Sequence, residues 1–140
     1  MNIFQKTILL KPRPRGFHII TREIEEQILE LKSFKTGIAH IFIQHTSASL
    51  TINENADPSV RSDFETVFKR LISEDEELYE HTAEGPDDMT SHAKASILGN
   101  SVTIPITNGH FNLGTWQGIY LGEHREQARS RKIVVTIFGQ

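Results

Sequence analysis

Hydrophobic and polar positions along the chain switch between a period of two and a period near 3.6, and this separates strands from helices before any other property is considered. Ile3 to Leu10 is apolar and β-prone, and it stops at Lys11-Pro12-Arg13-Pro14-Arg15-Gly16, where two prolines and a glycine force a turn. Phe17 to Ile20 resumes as a short strand. Ile24, Ile28 and Leu31 then fall at i, i+4 and i+7, the apolar stripe of a helix that Thr21 is placed to cap. After Gly37, the residues Ala39, Ile41, Ile43 and His45 share one face at period two. A strand is expected from Ile38 to His45, with the imidazole at its end.

Leu50-Thr51-Ile52 continues that strand or forms a neighbour, and the polar run Asn53 to Pro58 closes it. Asp57 followed by Pro58 is a strong helix start: the carboxylate accepts otherwise unpaired N–H groups, and proline at the first helical position has no N–H to lose. Val60, Phe64, Val67, Phe68 and Leu71 give this helix, about 58 to 72, an apolar face expected to be buried. The charge run Glu74 to Glu77 reads as a solvated connector. A loop from His81 turns into a second helix ending near Gly99. Val102 to Thr107 is a strand, and Asn108-Gly109 is a type I′ hairpin signal, because both central residues of that turn need positive φ. Ile119 to Leu121 and Lys132 to Phe138 complete the strands, the last expected to be buried on both faces. The sum is one α+β domain over residues 1–140, a largely antiparallel sheet packed with two or three helices.

Composition narrows the function. The 140 residues carry 15 Lys and Arg against 18 Asp and Glu, a net charge of −3 that offers no basic excess to a polyphosphate backbone, so nucleic acid is not an expected partner. No cysteine is present, which removes disulfides, thiol nucleophiles and cysteine-held clusters and leaves His, Asp, Glu or Asn as metal ligands. No signal-peptide core or membrane span is seen, and a cytoplasmic protein with no membrane partner is expected. Seven histidines are an unusually large share for this length.

The strongest candidate cluster is His81, Asp88 and His92. On a helix starting near Asp87 or Asp88, Asp88 and His92 stand at i and i+4, and the turn at Gly85-Pro86 can return His81 toward them. Two imidazoles and a carboxylate suit a divalent metal with open positions. Asp88 equally suits a helix cap, with the histidines as ordinary surface residues. A second candidate is His45, as metal ligand or proton carrier, followed by the hydroxyls of Thr46, Ser47 and Ser49, which suit phosphate oxygens. Asn53, Glu54, Asn55 and Asp57 form a third group, read either as turn and cap chemistry or as acid–base and substrate-binding residues. Trp116, beside Gln117 and two glycines, is a stacking platform or an interface residue. Arg125 could grip a phosphate.

The stretches HTSASLTINENADPSVRSDFE (45–65), HTAEGPDDMTSHAKASILGNSVTIPITNG (81–109) and GTWQGIYLGEHR (114–125), with PRGFH at 14–18, resemble the YjbQ family. The resemblance implies a compact α+β subunit in a homotrimer, with clefts containing histidine near subunit contacts. It implies a weak, or secondary, thiamine phosphate synthase, which joins a pyrimidinylmethyl diphosphate to a thiazole phosphate. The family histidines correspond to His45, His81 and His92, and the family acid to Asp88 or its neighbour Asp87. A small phosphorylated substrate and a divalent metal follow: Mg²⁺ on Asp87, Asp88, Glu54 and Asp57, or Zn²⁺, Mn²⁺ or Ni²⁺ on the histidines. The alternatives are a metal-dependent hydrolase or lyase of a small phosphorylated or heterocyclic molecule, and a binding protein without chemistry.

Overall fold

Eight strands and three α-helices follow one another in the computed structural model, which describes residues 1–140. They are β1 (Asn2–Leu9), β2 (Gly16–Ile19), α1 (Thr21–Gln27), β3 (Thr36–Ile43), β4 (Ala48–Glu54), α2 (Pro58–Leu71), α3 (Pro86–Leu98), β5 (Ser101–Thr107), β6 (His110–Phe111), β7 (Gln117–Glu123) and β8 (Lys132–Gly139). The strands form two sheets, ordered β1-β8-β3-β5-β6 and β2-β7-β4, with every pairing antiparallel. The class is α+β, as the alternating patterns predict. No helix is long and apolar enough to cross a membrane.

Period-two alternation turns one face of each sheet toward a shared core. Ala39, Ile41, Ile43, Ile104, Ile106, Ile133, Val135 and Ile137 come from the five-stranded sheet, and Ala48, Leu50, Ile119 and Leu121 from the three-stranded one. Ile24, Ile28 and Leu31 close the core from the α1 segment. The opposite face of the large sheet stays open. Ile3, Phe138, Ile38 and Pro105 lie in register across four adjacent strands, and Ile3, Ile38 and Phe138 remain 68%, 50% and 42% exposed.

Several local expectations are corrected. The α1 stripe is buried, yet the helix ends at Gln27 and a 3₁₀ turn at Leu29–Ser33 carries Leu31. Thr21 does not cap it, because its hydroxyl accepts the Ile119 N–H at 2.8 Å and ties helix to sheet instead. β3 stops at Ile43, so His45 lies beyond the strand. β8 alternates, with Phe138 facing outward, whereas β7 is buried on both faces because core lies on one side and helices cover the other. In α2, Asp57 caps as expected, accepting the Ser59 N–H at 2.9 Å. Only part of its apolar face is used: Phe64 and Phe68 pack on Phe17, while Val67 and Leu71 are exposed. The Asn108-Gly109 turn forms with both φ angles positive.

α3 lies against β4, with an unusual face turned inward. Its buried residues are Asp87, Asp88, Thr90, Ser91 and Lys94, while Ile97 points to solvent. Also buried in this region are the Ser49 hydroxyl and the His124 imidazole, which share a 2.8 Å hydrogen bond. Gly122 makes that bond possible, since a Cβ there would overlap Ser49 Oγ and approach His124 Cε1 to 2.7 Å. Lys94 is 1% exposed and its Nζ has no protein partner, nor has His124 Nδ1. Burial, then the charges of Lys94, Arg15 and Arg131, push the His124 pKa down to about 3, so the ring is neutral in the fold.

Two outcomes are expected. Gly122→Ala destabilises the protein by about 1–3 kcal/mol in urea unfolding, the cost of overpacking a filled site. His124 binds no proton in the folded chain until near pH 3 but takes one in the unfolded chain below its ordinary value of 6.5. Its contribution to stability is therefore lost as pH falls from 6.5 toward 3. Between pH 7 and 4.5, wild-type unfolding free energy should fall by about 2–3 kcal/mol more than that of His124→Asn, measured by urea titration at each pH.

Candidate functional site

Three loops meet at one end of the small sheet: residues 44–47 between β3 and β4, residues 81–85 leading into α3, and residues 124–131 between β7 and β8. The last is fixed from below. Arg131 donates from Nε and Nη2 to the two carboxylate oxygens of Glu123 at 2.7 and 2.6 Å, with both side chains buried. Arg131 also reaches the Ser47 carbonyl at 3.3 Å, and Glu123 accepts the Arg125 N–H at the same distance. Arg125 is thereby aimed at the start of α3.

Its guanidinium donates from Nε to Asp87 Oδ2 at 2.9 Å and from Nη1 to Asp88 Oδ1 at 2.5 Å. A further bond reaches the Glu84 carbonyl at 3.1 Å. Asp88 is only 2% exposed. Burial works to raise its pKa, but the His81 hydrogen bond and the neighbouring His92 and Arg125 outweigh burial and hold it below the ordinary carboxylate range. With Oδ1 occupied, Oδ2 faces the imidazoles, 2.6 Å from His81 Nε2 and 3.4 Å from His92 Nε2. His92 Nδ1 lies 2.9 Å from the Thr46 carbonyl, which can only accept, so Nδ1 carries a proton and Nε2 is the nitrogen left to offer a lone pair to an ion.

The donor set fits a divalent ion. One ligand atom from each of His81, Asp88 and His92 lies within 4.8 Å of the others. The imidazole of His92 and the carboxylate of Asp88 are each oriented by a hydrogen bond on their far side, the support that metal ligands require. Two nitrogens and one oxygen match Zn²⁺, Mn²⁺ or Ni²⁺ better than the all-oxygen shell of Mg²⁺. Asp88 is the carboxylate of this set, whereas Asp87 belongs to Arg125 and the Glu126 N–H.

His45 does not join the cluster. Its Nε2 accepts the Lys132 N–H at 2.8 Å, a bond that fixes the 44–47 loop to the start of β8. Burial, with Arg131 and Lys132 nearby, lowers its pKa, so the ring is neutral and Nδ1–H is its remaining polar group. The lone pair expected to carry a proton is already used. His45 instead faces His92 across an open cleft of about 480 Å³, lined also by Thr46, Ala48, Ala95, Ser96 and Asn100. A second lobe of about 470 Å³ continues past Thr46 and Asn100 to Ser47, Gln44 and Phe42.

The other expected residues are distributed differently. Ser49 is sealed beneath the site on His124, and Arg125 is engaged by carboxylates rather than left free to hold a phosphate. Glu54, Asn55, Asp57, Trp116 and Gln117 gather at the far end of the small sheet, since Glu54 lies six residue steps along β4 from Ala48, about 20 Å at the strand rise. There Glu54 accepts the Ala56 and Asp57 N–H groups, Asp57 caps α2, and Asn55 donates to the carbonyls of Thr115 and Gln117. These are turn and cap roles within one chain, with Trp116 exposed beside them.

Sequence reasoning missed the Glu123–Arg131 pair, together with Lys94, Ser96 and Asn100. One signal was available: Asp87, Ser91 and Lys94 recur at i, i+4 and i+7, a polar stripe at the spacing of a buried face.

Comparison with known proteins places the chain in a lineage. Residues 6–140 match the family described as UPF0047 protein YjbQ-like. The chain is 50% identical over 137 residues to the UPF0047 protein YjbQ of Salmonella typhimurium, covering 98% of this chain and 99% of that one. It is 38% identical to the UPF0047 protein YugU of Bacillus subtilis over 135 residues, covering 96% and 98%. Among solved structures, a YbjQ-like protein of unknown function from Sulfolobus solfataricus superposes with a TM-score of 0.83 at 27% identity, covering 99% of both chains. A motif set that spans the chain, the matched fold and identity at this level lead to one conclusion: the chain belongs to the UPF0047 (YjbQ-like) family.

Proposed function

We propose that the protein is a metal-dependent enzyme, of hydrolase or lyase type, acting on a small molecule held in the cleft beside His81, Asp88 and His92. The observation that carries this is the convergence of the three donors, two of them oriented: Arg125 fixes Asp88 from behind, and the Thr46 carbonyl fixes the His92 tautomer. A bound divalent ion supplies Lewis acidity, which polarises a carbonyl or phosphoryl oxygen. The chain's own residues do the rest. His92 walls the cleft and presents Nε2 toward Asp88, while His45, held neutral, can donate only from Nδ1 to a bound molecule. His45 is thus an orienting donor rather than a general base.

The thiamine phosphate synthase reaction implied by family resemblance is a second reading, favoured by the Thr46, Ser47 and Ser96 hydroxyls at the cleft. No lysine or arginine lines the cleft to neutralise its leaving diphosphate, and Arg125 and Arg131 are bound to carboxylates. Assay with both thiamine precursors and Mg²⁺, Mn²⁺ or Zn²⁺ in turn decides it, and absence of turnover with every metal removes it.

The homotrimer belongs to the same proposal. The open row Ile3, Phe138, Ile38 and Pro105 ends on β1, an edge strand whose free side invites pairing. Light scattering at micromolar concentration should give three times the chain mass, and a monomer mass overturns the assembly.

The metal site has its own test by isothermal titration with Zn²⁺, Mn²⁺ and Ni²⁺. Arg125→Lys keeps the charge but loses the fork, and should weaken binding about 10–100-fold, the usual effect of removing a supporting partner. Asp88→Asn and His92→Ala remove ligands and should weaken it further, with far-UV circular dichroism unchanged. Unaltered affinity in both ligand variants overturns the metal centre.

A further inference from the structure

We propose that the cleft between His45 and His92 recognises an uncharged cyclic amide, a flat ring carrying adjacent N–H and C=O groups, rather than a phosphorylated compound. The proposal rests on the metal-dependent reading above and names the substrate class of the same site.

Three observations carry it. The first is charge. Neither lobe of the cleft is lined by a lysine, arginine, aspartate or glutamate. Of the cations around it, Lys94 is 1% exposed and lines neither lobe, and Arg125 and Arg131 each satisfy carboxylates. A phosphate entering without metal would find no lysine or arginine in the cleft lining to replace its hydration.

The second is the direction of α3. Ala95 and Ser96 belong to the last turn of that helix and Asn100 follows its end, so the cleft sits at the C-terminal pole. The partial negative charge and unpaired carbonyls of a helix C-terminus repel anions and attract N–H donors. A ligand N–H is favoured at the point where a phosphate is disfavoured.

The third is the complement of side chains. Asn100 is anchored through its main-chain carbonyl, which accepts the Ile43 N–H at 2.9 Å, so its carboxamide is not what holds the fold. A carboxamide offers one donor and one acceptor side by side, the complement of a cyclic amide edge. Gln44 repeats that chemistry in the second lobe, and His45 adds an N–H donor suited to a second carbonyl. Ala48 and Ala95 supply small apolar surfaces against which a ring can lie.

The test uses full-length protein freed of metal by chelator, with dihydrouracil as the neutral probe and inorganic pyrophosphate as the anionic one, followed by amide chemical-shift mapping. Dihydrouracil should produce saturable shifts at Thr46, Ser96 and Asn100, and pyrophosphate should leave those amides unmoved. Asn100→Asp, which exchanges the donor for a charge, should weaken dihydrouracil about tenfold or more while leaving the remaining spectrum in place. Pyrophosphate shifts at these amides, or none from dihydrouracil, overturn the proposal. Zn²⁺ titration of Asp88→Asn separates the two levels, because Asp88 does not line the cleft. Retained metal affinity with dihydrouracil bound removes the metal centre and leaves the neutral cleft standing. Lost metal affinity without dihydrouracil binding removes the cleft proposal alone.

Discussion

An ionised carboxylate at the depth of Asp88 is stable only because His81, His92 and the Arg125 guanidinium surround it, and the arrangement of the converging loops follows from that requirement. Leaving such a charge unpaired costs about 3–5 kcal/mol, so the fold must deliver a guanidinium from a segment 37 residues away in sequence. It does so by anchoring the 124–131 loop at its base through the buried Glu123–Arg131 pair, which also holds the Ser47 carbonyl. Each ion pair thus fixes a loop that the next interaction needs. The two together orient Asp88 toward His81 and His92 while the sheet strands remain ordinary hydrophobic ladders.

The same constraint explains why α3 breaks the rule that helices bury their apolar side. Thr90, Ser91 and Lys94 lie inward with the two aspartates, while Ile97 faces solvent. An apolar face would pack better against β4, and the polar one is costly because Lys94 Nζ and His124 Nδ1 have no partner. Violations of local consistency concentrate where a protein does chemistry. Here they occupy the helix that carries Asp88 and His92, and Gly122 lacks a side chain so that His124 can reach Ser49 beneath them.

What could be read from the chain divides along the range of the interactions. Asn108-Gly109 and Asp57-Pro58 act on their own backbone, and both formed as expected. The i, i+4 relation of Asp88 and His92 is equally local, and the two side chains do lie together beside His81. His45 was misplaced because period two continues through Gln44, whereas the strand ends where Lys132 N–H takes the imidazole, a contact 87 residues distant in sequence. Glu123, Arg125 and Arg131 look like ordinary surface charges when read singly. Only the β7–β8 geometry turns them inward, and no pattern within either segment encodes that.

His92 belongs to both halves of the site, and this couples them physically. Its ring lines the cleft, its Nδ1–H is held by the carbonyl of Thr46, itself a cleft residue, and its Nε2 faces Asp88. A displacement of the 44–47 loop by a ligand would rotate the imidazole and change what it offers to an ion. An ion on Nε2 would in turn strengthen the Nδ1–H donor and tighten the Thr46 contact. The carbonyl-rich end of α3 and the uncharged lining mean that any cation present there dominates the local field. The electrostatic character of the cleft is therefore set by whether the His81, Asp88 and His92 cluster is filled, and one hydrogen bond from His92 links occupancy to shape.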